Sequence, residues 1–189
     1  MKSSKKIVNF AQLGDPVLRR KAEQVDDVSS IYIQNVIESM FTKLSLSNGV
    51  GLAAPQIFHS VCIIIVASRP SERYPFAPEM DPLVMINPSF EVLSKKRKKD
   101  WEGCLSIPGI RALVVRYDKI KINYLDRLGS QQQLLAEDFV ARIFQHEYDH
   151  LNGLVYLDRV EDNKDIIVET EFQKMMEALK LENKTAGNK

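Results

Sequence analysis

The apolar positions of the chain follow a helical period in three segments. Between Ile33 and Leu44 they recur at the three- and four-residue spacing of an amphipathic helix, with Ser29 or Ser30 in position to cap its start. A second helix is predicted from Glu137 or Asp138 to Asn152-Gly153, and it is apolar around most of its circumference, which indicates burial. A last amphipathic helix is predicted to start at Asp162 or Asn163 and to run past Leu179.

Between the first two helices, the pattern predicts strands. The clearest is the β-branched run 60–67, and a hairpin turn is predicted at 126–130. Further strand candidates are 83–86, 90–93, 113–115, 119–125 and 131–135. Residues 69–82 contain four prolines and are predicted to form a loop. No internal repeat or second domain is indicated, so we expect one domain over 1–189, with polar, disordered tails at 1–6 and 183–189.

Composition narrows the class of protein. The chain has 189 residues, 44% hydrophobic and 27% charged, and a net charge of +1, which favours neither nucleic acid nor an anionic membrane as main partner. No apolar run is long enough to span a bilayer, and the N-terminus does not resemble a secretory signal. The chain has only two cysteines, Cys62 and Cys104, so we do not expect a scaffold of disulfides. We expect a reducing environment and therefore a cytoplasmic location. The basic run 95–99 either touches RNA or forms a solvated turn, and the turn is favoured.

The buried helix carries the sequence His-Glu-x-x-His. His146 and His150 lie four residues apart, so on a helix they share one face and could bind one metal ion. Glu147, beside the first histidine, could then act as a general base toward a metal-bound water. The motif is short, and the alternative is a helix with two incidental histidines.

A third metal ligand is needed, and several residues could supply it. Cys104 lies in the segment 101–109 and could be a nucleophile, a ligand or a filler of space; a ligand is favoured because the helix already offers two imidazoles. A zinc peptidase would instead take a downstream glutamate, such as Glu169 or Glu171. The histidine version of that motif is not met, because Tyr156 occupies the ligand position.

The glycine-rich segment 49–56 has three interpretations. A phosphate loop is weakly indicated, since no Gly-Lys-Ser/Thr follows. A tight turn is the plain structural alternative. The third is that the segment brings the side-chain amide of Gln56 to a reaction centre, where it could stabilise an oxyanion.

Taken together, three segments closely resemble the signature motifs of the peptide deformylase family. They are Gly49-Val50-Gly51-Leu52-Ala53-Ala54-Pro55-Gln56, Glu102-Gly103-Cys104-Leu105-Ser106 and Gln145-His146-Glu147-Tyr148-Asp149-His150-Leu151-Asn152-Gly153. They stand in the order typical of the family, and the resemblance extends over roughly residues 8–160. Arg111, Arg116 and Asp126-Arg127 also fit the pattern.

The resemblance implies an enzyme that removes the N-formyl group from the initiator methionine of new polypeptides and releases formate. It implies an α+β fold in which antiparallel strands pack around the motif helix, flanked by N- and C-terminal helices. Cys104, His146 and His150 would bind the metal, and a metal-bound water would attack the formyl carbonyl with Glu147 as general base and later general acid. Gln56 and the backbone amide of Leu105, with Gly51 beside them, would stabilise the oxyanion.

The resemblance also implies a divalent metal, usually Fe²⁺, although a Cys-His-His set suits Zn²⁺, Ni²⁺ or Co²⁺ as well. Substrates would be N-formylmethionyl nascent chains. Val50, Phe139 and Ile143 are candidates to line an apolar methionine pocket, and Arg111 is a further substrate-binding candidate. Gly51 and Gly103 would flank a slot for an extended peptide, whereas Arg142 would sit at the pocket mouth or face solvent.

The resemblance also suggests the ribosome as a partner, but the sequence does not support docking on it. In some bacterial members of the family, the C-terminal helix is thought to dock on the ribosome and is basic. Here residues 161–189 contain seven acidic residues against five lysines.

Overall fold

The computed structural model of the chain describes residues 9–70 and 77–186. The predicted tail at 1–6 and the last three residues, 187–189, lie outside the described residues. Residues 183–186, part of the predicted polar tail, are the last residues of the C-terminal helix.

Three α-helices form in the described residues, the first two of them at the predicted positions. Helix α1 spans Ile31–Ser45 and is capped by Ser30, whose hydroxyl accepts a hydrogen bond from the Ile33 amide. Helix α2 spans Asp138–Leu151, and ten of its fourteen residues are buried, which confirms the predicted burial. It ends where Gly153 takes a left-handed conformation with φ of 71°. Helix α3 spans Glu169–Ala186.

The strands of the described residues form two antiparallel sheets. The strands are β1 (Gly51–Ala53), β2 (Ile63–Ser68), β3 (Met80–Val92), β4 (Arg97–Cys104), β5 (Ile107–Tyr117), β6 (Lys119–Leu125), β7 (Gln131–Glu137) and β8 (Ile166–Val168). The larger sheet has the order β1-β2-β3-β6-β7, and the smaller one has the order β4-β5-β8. Strands β1 and β4 are therefore edge strands, each paired on one side only within the described residues.

Helix α2 lies at the centre because the larger sheet has two apolar faces. Along β2, Ile64 and Val66 face one way and pack in a cluster with Phe144 of α2. Ile63 and Ile65 face the other way and pack with α1. A third cluster joins β5 to the segment that follows α2. The predicted α+β fold, with antiparallel strands and with helices toward both ends of the chain, is confirmed.

Four sequence predictions are corrected. The two short strands predicted at 83–86 and 90–93 are one strand, β3, with a shift of register beyond Ile86. The basic run 95–99 does not form only a turn, because β4 begins at Arg97. The last helix does not begin near Asp162; a 3₁₀ turn (Asn163–Asp165) and the strand β8 precede α3. The cap of α2 is Glu137, but its side chain makes no capping hydrogen bond.

Among the helices of the described residues, none combines the length and the apolar character needed to cross a bilayer.

Candidate active site

A buried cluster of one cysteine and two histidines lies where the end of β4 meets α2. Candidate ligand atoms of Cys104, His146 and His150 all lie within 4.8 Å of one another. Cys104 Sγ is 3.3 Å from His150 Nε2. The two imidazoles share a face because they are four residues apart on α2, as predicted.

The donor set fits a divalent metal ion. Usual bond lengths of about 2.1 Å to nitrogen and 2.3 Å to sulfur place tetrahedral donors roughly 3.6 Å apart, close to the observed separation of Sγ and Nε2. The cluster is closed to water on the side of His150, which is fully buried. One thiolate and two imidazoles would leave the fourth position of a tetrahedral ion open, as catalytic sites require.

Glu102 orients the first histidine. Its Oε2 lies 2.9 Å from His146 Nδ1, so Nδ1 carries the proton and donates it, and Nε2 is left to face the metal position. The His146 ring also stacks on Tyr156, with ring centroids 5.8 Å apart. Both contacts fix the ring before any ion binds.

Glu102 belongs to a buried ionic network. Its two oxygens accept from Nε and Nη2 of Arg116, each at 3.0 Å, and Oε1 accepts from Arg142 Nη1 at 2.8 Å. Arg116 also donates to Asp149 at 2.6 Å, and Asp149 accepts from Arg159. Burial by itself would raise the pKa of Glu102, but the Arg116 charge and the hydrogen bond from His146 hold it far below its usual range.

The cysteine is held ready as a thiolate. Burial alone would raise the pKa of Cys104, yet the charge of His150 and hydrogen bonds from His146 and His150 hold it well below its ordinary value. For His146, burial opposes the charged form, but contacts with Cys104 and Glu102 raise its pKa well above its ordinary value. Because an imidazole must be neutral at its ligating nitrogen, an arriving metal ion displaces a proton from this cluster.

Glu147 lies beside the cluster and against β1. An added Cβ on Gly51 would lie 2.3 Å from Glu147 Oε1, so only glycine leaves room for the carboxylate. Among the described residues, Glu147 Oε2 is buried without a hydrogen-bond partner. Burial raises the pKa of Glu147 to about 7; the charges of His146 and His150 act against the rise, while Cys104 adds to it. A carboxyl group with this pKa can both accept and return a proton near neutral pH.

The 3₁₀ turn Ala54–Ile57 delivers Gln56 to the same place. The amide of Ala53 donates to Gln56 Oε1 at 2.8 Å, which turns Nε2 toward the cluster. Gln56 Nε2 lies 3.3 Å from Cys104 Sγ and 3.2 Å from Ser106 Oγ. No phosphate-loop geometry arises, because Gly51–Ala53 is a strand.

The predicted site residues meet in one cleft, with two exceptions. Cys104, His146 and Glu147 line it together with the residues predicted for catalysis and substrate binding, namely Val50, Gly51, Gln56, Gly103, Leu105, Phe139 and Ile143. His150 lies beneath the cleft, as a buried ligand would. Arg111, predicted as a substrate-binding residue, is not among the residues that line the cleft; its side chain is fully buried and donates to Glu169, with Nε 2.5 Å from Oε2.

Other predictions about single residues are also resolved. Glu169 binds Arg111 and Glu171 binds Lys174, so neither serves as a third ligand of a peptidase-type site. Arg142 does not face solvent: it is buried and lines the cleft beside Ile143.

Sequence reasoning gave no role to Glu102 or Trp101, although both line the cleft. The signal for Glu102 was its place two residues before Cys104.

A cysteine and two histidines around an open ligand position, with a glutamate beside them, are typical of a mononuclear metal-dependent hydrolase. Comparison with known proteins gives the family. The model of the family described as polypeptide deformylase matches residues 7–165. The chain belongs to the polypeptide deformylase family, whose members depend on a metal ion.

Curated relatives agree over most of their length. The chain is 48% identical to peptide deformylase 2 of Nostoc sp. over 170 residues, which cover 90% of this chain and 95% of the relative. It is 40% identical to peptide deformylase 1 of Nitrosomonas europaea over 151 residues, which cover 80% and 86%.

Solved structures agree as well. A class I type b peptide deformylase from Acinetobacter baumannii, crystallised with Met-Ala-Ser, superposes with a TM-score of 0.77 at 40% identity and covers 80% of this chain and 96% of that one. A peptide deformylase from Synechococcus elongatus in complex with actinonin gives a TM-score of 0.75 at 35% identity and covers 87% and 85%.

Proposed function

We propose that this protein removes the N-formyl group from the initiator methionine of newly made polypeptides and releases formate. The observation that carries the proposal is the position of Glu147, whose buried carboxylate stands beside the Cys104-His146-His150 cluster in an open cleft. Membership of the deformylase family supports the type of reaction, and the side chains of the cleft are chemically suited to that reaction.

Each residue has a task that follows from its place. A divalent ion held by Cys104, His146 and His150 would act as a Lewis acid and make water a better nucleophile. Glu147 accepts the proton of the attacking water and returns it to the departing amine, for which a pKa near 7 is suitable. Gln56 Nε2, 3.3 Å from Cys104 Sγ, and the Leu105 amide donate hydrogen bonds to the developing oxyanion.

The peptide binds as an added strand between the two sheets. Gly51 belongs to the edge strand β1 and Gly103 to the edge strand β4, and both line the cleft. Main-chain hydrogen bonds to such edges do not depend on side chains, which suits an enzyme that processes most nascent chains. The related Acinetobacter baumannii enzyme was crystallised with Met-Ala-Ser bound, which supports a peptide site in this cleft.

From membership of the family, we infer Fe²⁺ as the working ion. Zn²⁺, Ni²⁺ and Co²⁺ could replace it, because a thiolate with two imidazoles binds all four ions. We also infer that the enzyme acts in the cytoplasm, where nascent chains are made. The free thiols of Cys62 and Cys104 are compatible with a reducing compartment.

The test is formate release from formyl-Met-Ala-Ser by protein purified without oxygen and loaded with Fe²⁺. We expect turnover by the parent protein. Cys104→Ala should lose both metal and turnover, whereas Glu147→Gln should keep the metal and lose about 100- to 10,000-fold in rate. Peptide cleavage in place of formate release, or full activity of Glu147→Gln, would contradict the proposal.

A further inference from the structure

The pocket beside the metal cluster is not purely apolar. Phe139, Arg142, Ile143 and His146 occupy successive positions on one face of α2, and all four line the cleft. Arg142 precedes His146 by four residues, or about 6 Å along the helix axis. Arg142 and His146 therefore line the same cleft one helical turn apart, so a side chain that enters the cleft beside His146 passes close to Arg142.

Arg142 is held firmly in this position. Its side chain is only 8% exposed, and Nη1 donates to Glu102 Oε1 at 2.8 Å and to the Val114 carbonyl at 2.9 Å. Nη2 donates to the Lys98 carbonyl at 2.6 Å. These contacts come from β4 and β5 and leave the side chain little freedom.

The hydrogen bonds do not use all the donors of Arg142. A guanidinium carries five N–H groups. Two on Nη1 serve Glu102 and Val114, with the Asp100 carbonyl a third acceptor at 3.4 Å, and one on Nη2 serves Lys98. Within the described part of the chain, Nε and the second Nη2 proton have no hydrogen-bond partner. The cleft therefore has a fixed, charged donor in its wall.

The remaining walls suit a sulfur-containing side chain. Trp101 and Phe139 line the cleft, and aromatic rings are neighbours that thioethers favour. Trp101, Phe139 and Arg142 also border a second cavity of about 620 Å³, so these three side chains lie between the cleft and that cavity.

We propose that Arg142 is a specificity-determining residue that lets the enzyme deformylate chains whose initiator methionine has been oxidised to the sulfoxide. The inference rests on the proposed deformylase function and extends its substrate range. A sulfoxide oxygen is a strong acceptor that an apolar pocket would leave unpaired, and such unpaired polar groups are costly to bury. Arg142 supplies the partner, so the formyl-methionine sulfoxide peptide is hydrolysed to formate and a methionine sulfoxide peptide by the same attack of water.

The test compares four substrates on the metal-loaded enzyme. These are formyl-Met-Ala-Ser, its two sulfoxide epimers, and formyl-norleucyl-Ala-Ser, which has the length of methionine and no acceptor. For the parent enzyme we expect kcat/KM for the favoured sulfoxide epimer within about tenfold of the methionine peptide. Because the guanidinium is fixed, we also expect a preference between the epimers.

The informative variant is Arg142→Met, with Arg142→Lys as its charge-preserving counterpart. In Arg142→Met the sulfoxide-to-methionine ratio of kcat/KM should fall roughly 10- to 100-fold, the value of a charge-assisted hydrogen bond, and the epimer preference should disappear. The norleucine-to-methionine ratio should change far less, and Arg142→Lys should fall between parent and Arg142→Met. Ratios within one variant cancel any general loss of metal or stability.

Three outcomes would overturn the inference. They are an unchanged sulfoxide-to-methionine ratio in Arg142→Met, rejection of both epimers by the parent enzyme, and equal turnover of the two epimers. Failure of the parent enzyme on formyl-Met-Ala-Ser itself would instead overturn the proposed function.

Discussion

The Glu147 carboxylate occupies the space in which a side chain at Gly51 would begin, since an added Cβ would lie 2.3 Å from Oε1. Gly51→Ala should therefore displace the proton acceptor without touching the metal cluster. Because misplacement by about 1 Å can cost about 100-fold in rate, we expect kcat/KM to fall by about that factor while metal content is retained. Gly49→Ala is the matched control: its nearest neighbours are flexible ends of side chains, at 3.0 Å and beyond, so its effect should be much smaller.

The raised pKa of Glu147 makes the stability of the metal-free protein depend on pH. A carboxyl group whose pKa rises on folding stabilises the folded state fully below its unfolded pKa, and that contribution is lost as the pH rises through the folded value. Here the window runs from 4.5 to about 7, and the rise corresponds to on the order of 3 kcal/mol.

Denaturant unfolding of the metal-free parent and of Glu147→Gln, at several pH values, measures this contribution. Relative to the variant, the parent should lose free energy of unfolding between pH 4.5 and 7. Parallel curves for the two proteins would show that Glu147 does not titrate in this window.

Glu102 governs metal affinity through His146. Its Oε2 accepts the Nδ1 proton at 2.9 Å, and such contacts are typically worth about 10- to 100-fold in affinity. We expect Glu102→Gln to weaken Zn²⁺ or Co²⁺ binding by about that factor in a chelator competition. Glu91→Gln, at an exposed position of β3, should leave the affinity unchanged. Equal affinities for both variants would show that Glu102 does not hold the ligand.

The ion pair between Arg111 and Glu169 secures the C-terminal helix to the wall of the site. Arg111 is fully buried, its Cζ lies 4.9 Å from the Phe172 ring centroid, and it packs against Gly103, the residue before Cys104. Glu169→Gln removes the charge of the carboxylate that pairs with the buried Arg111, so we expect a loss of about 2–4 kcal/mol in the free energy of unfolding. Glu171→Gln, which breaks only the exposed pair with Lys174, should have little effect.

Local sequence patterns correctly predicted the elements that are fixed by interactions between residues close in sequence. Ser30 caps α1 as expected, and the turn at Asp126 closes the hairpin between β6 and β7, with Asp126 Oδ1 accepting from the Leu128 and Ser130 amides. The motifs predicted correctly that Cys104, His146 and His150 lie together. This was possible because they resemble motifs of a family in which these residues form one site.

The predictions of secondary structure were wrong where contacts between residues distant in sequence determine the structure. Asn87 interrupts β3 in sequence, yet its side chain bonds both the amide and the carbonyl of Val25, which holds its positive φ inside a continuous strand. Ile166 and Ile167 fit a helical face, but pairing with β5 makes them a strand. The bond of Glu102 to His146 spans 44 residues of sequence, and the place of Glu102 two residues before Cys104 does not by itself indicate that bond.

The two strand edges that border the cleft affect how readily the protein associates with other copies of itself. An edge that accepts any extended peptide will also accept the edge of another copy, which is the first step of aggregation. The exposed length is small, because β1 has three residues and Arg142 donates to the outward carbonyls of Lys98 and Asp100 on β4. Among the described residues, the part of β4 near Gly103 lies at the cleft, where a guest strand would pair, and the short length of the free edges limits pairing between copies.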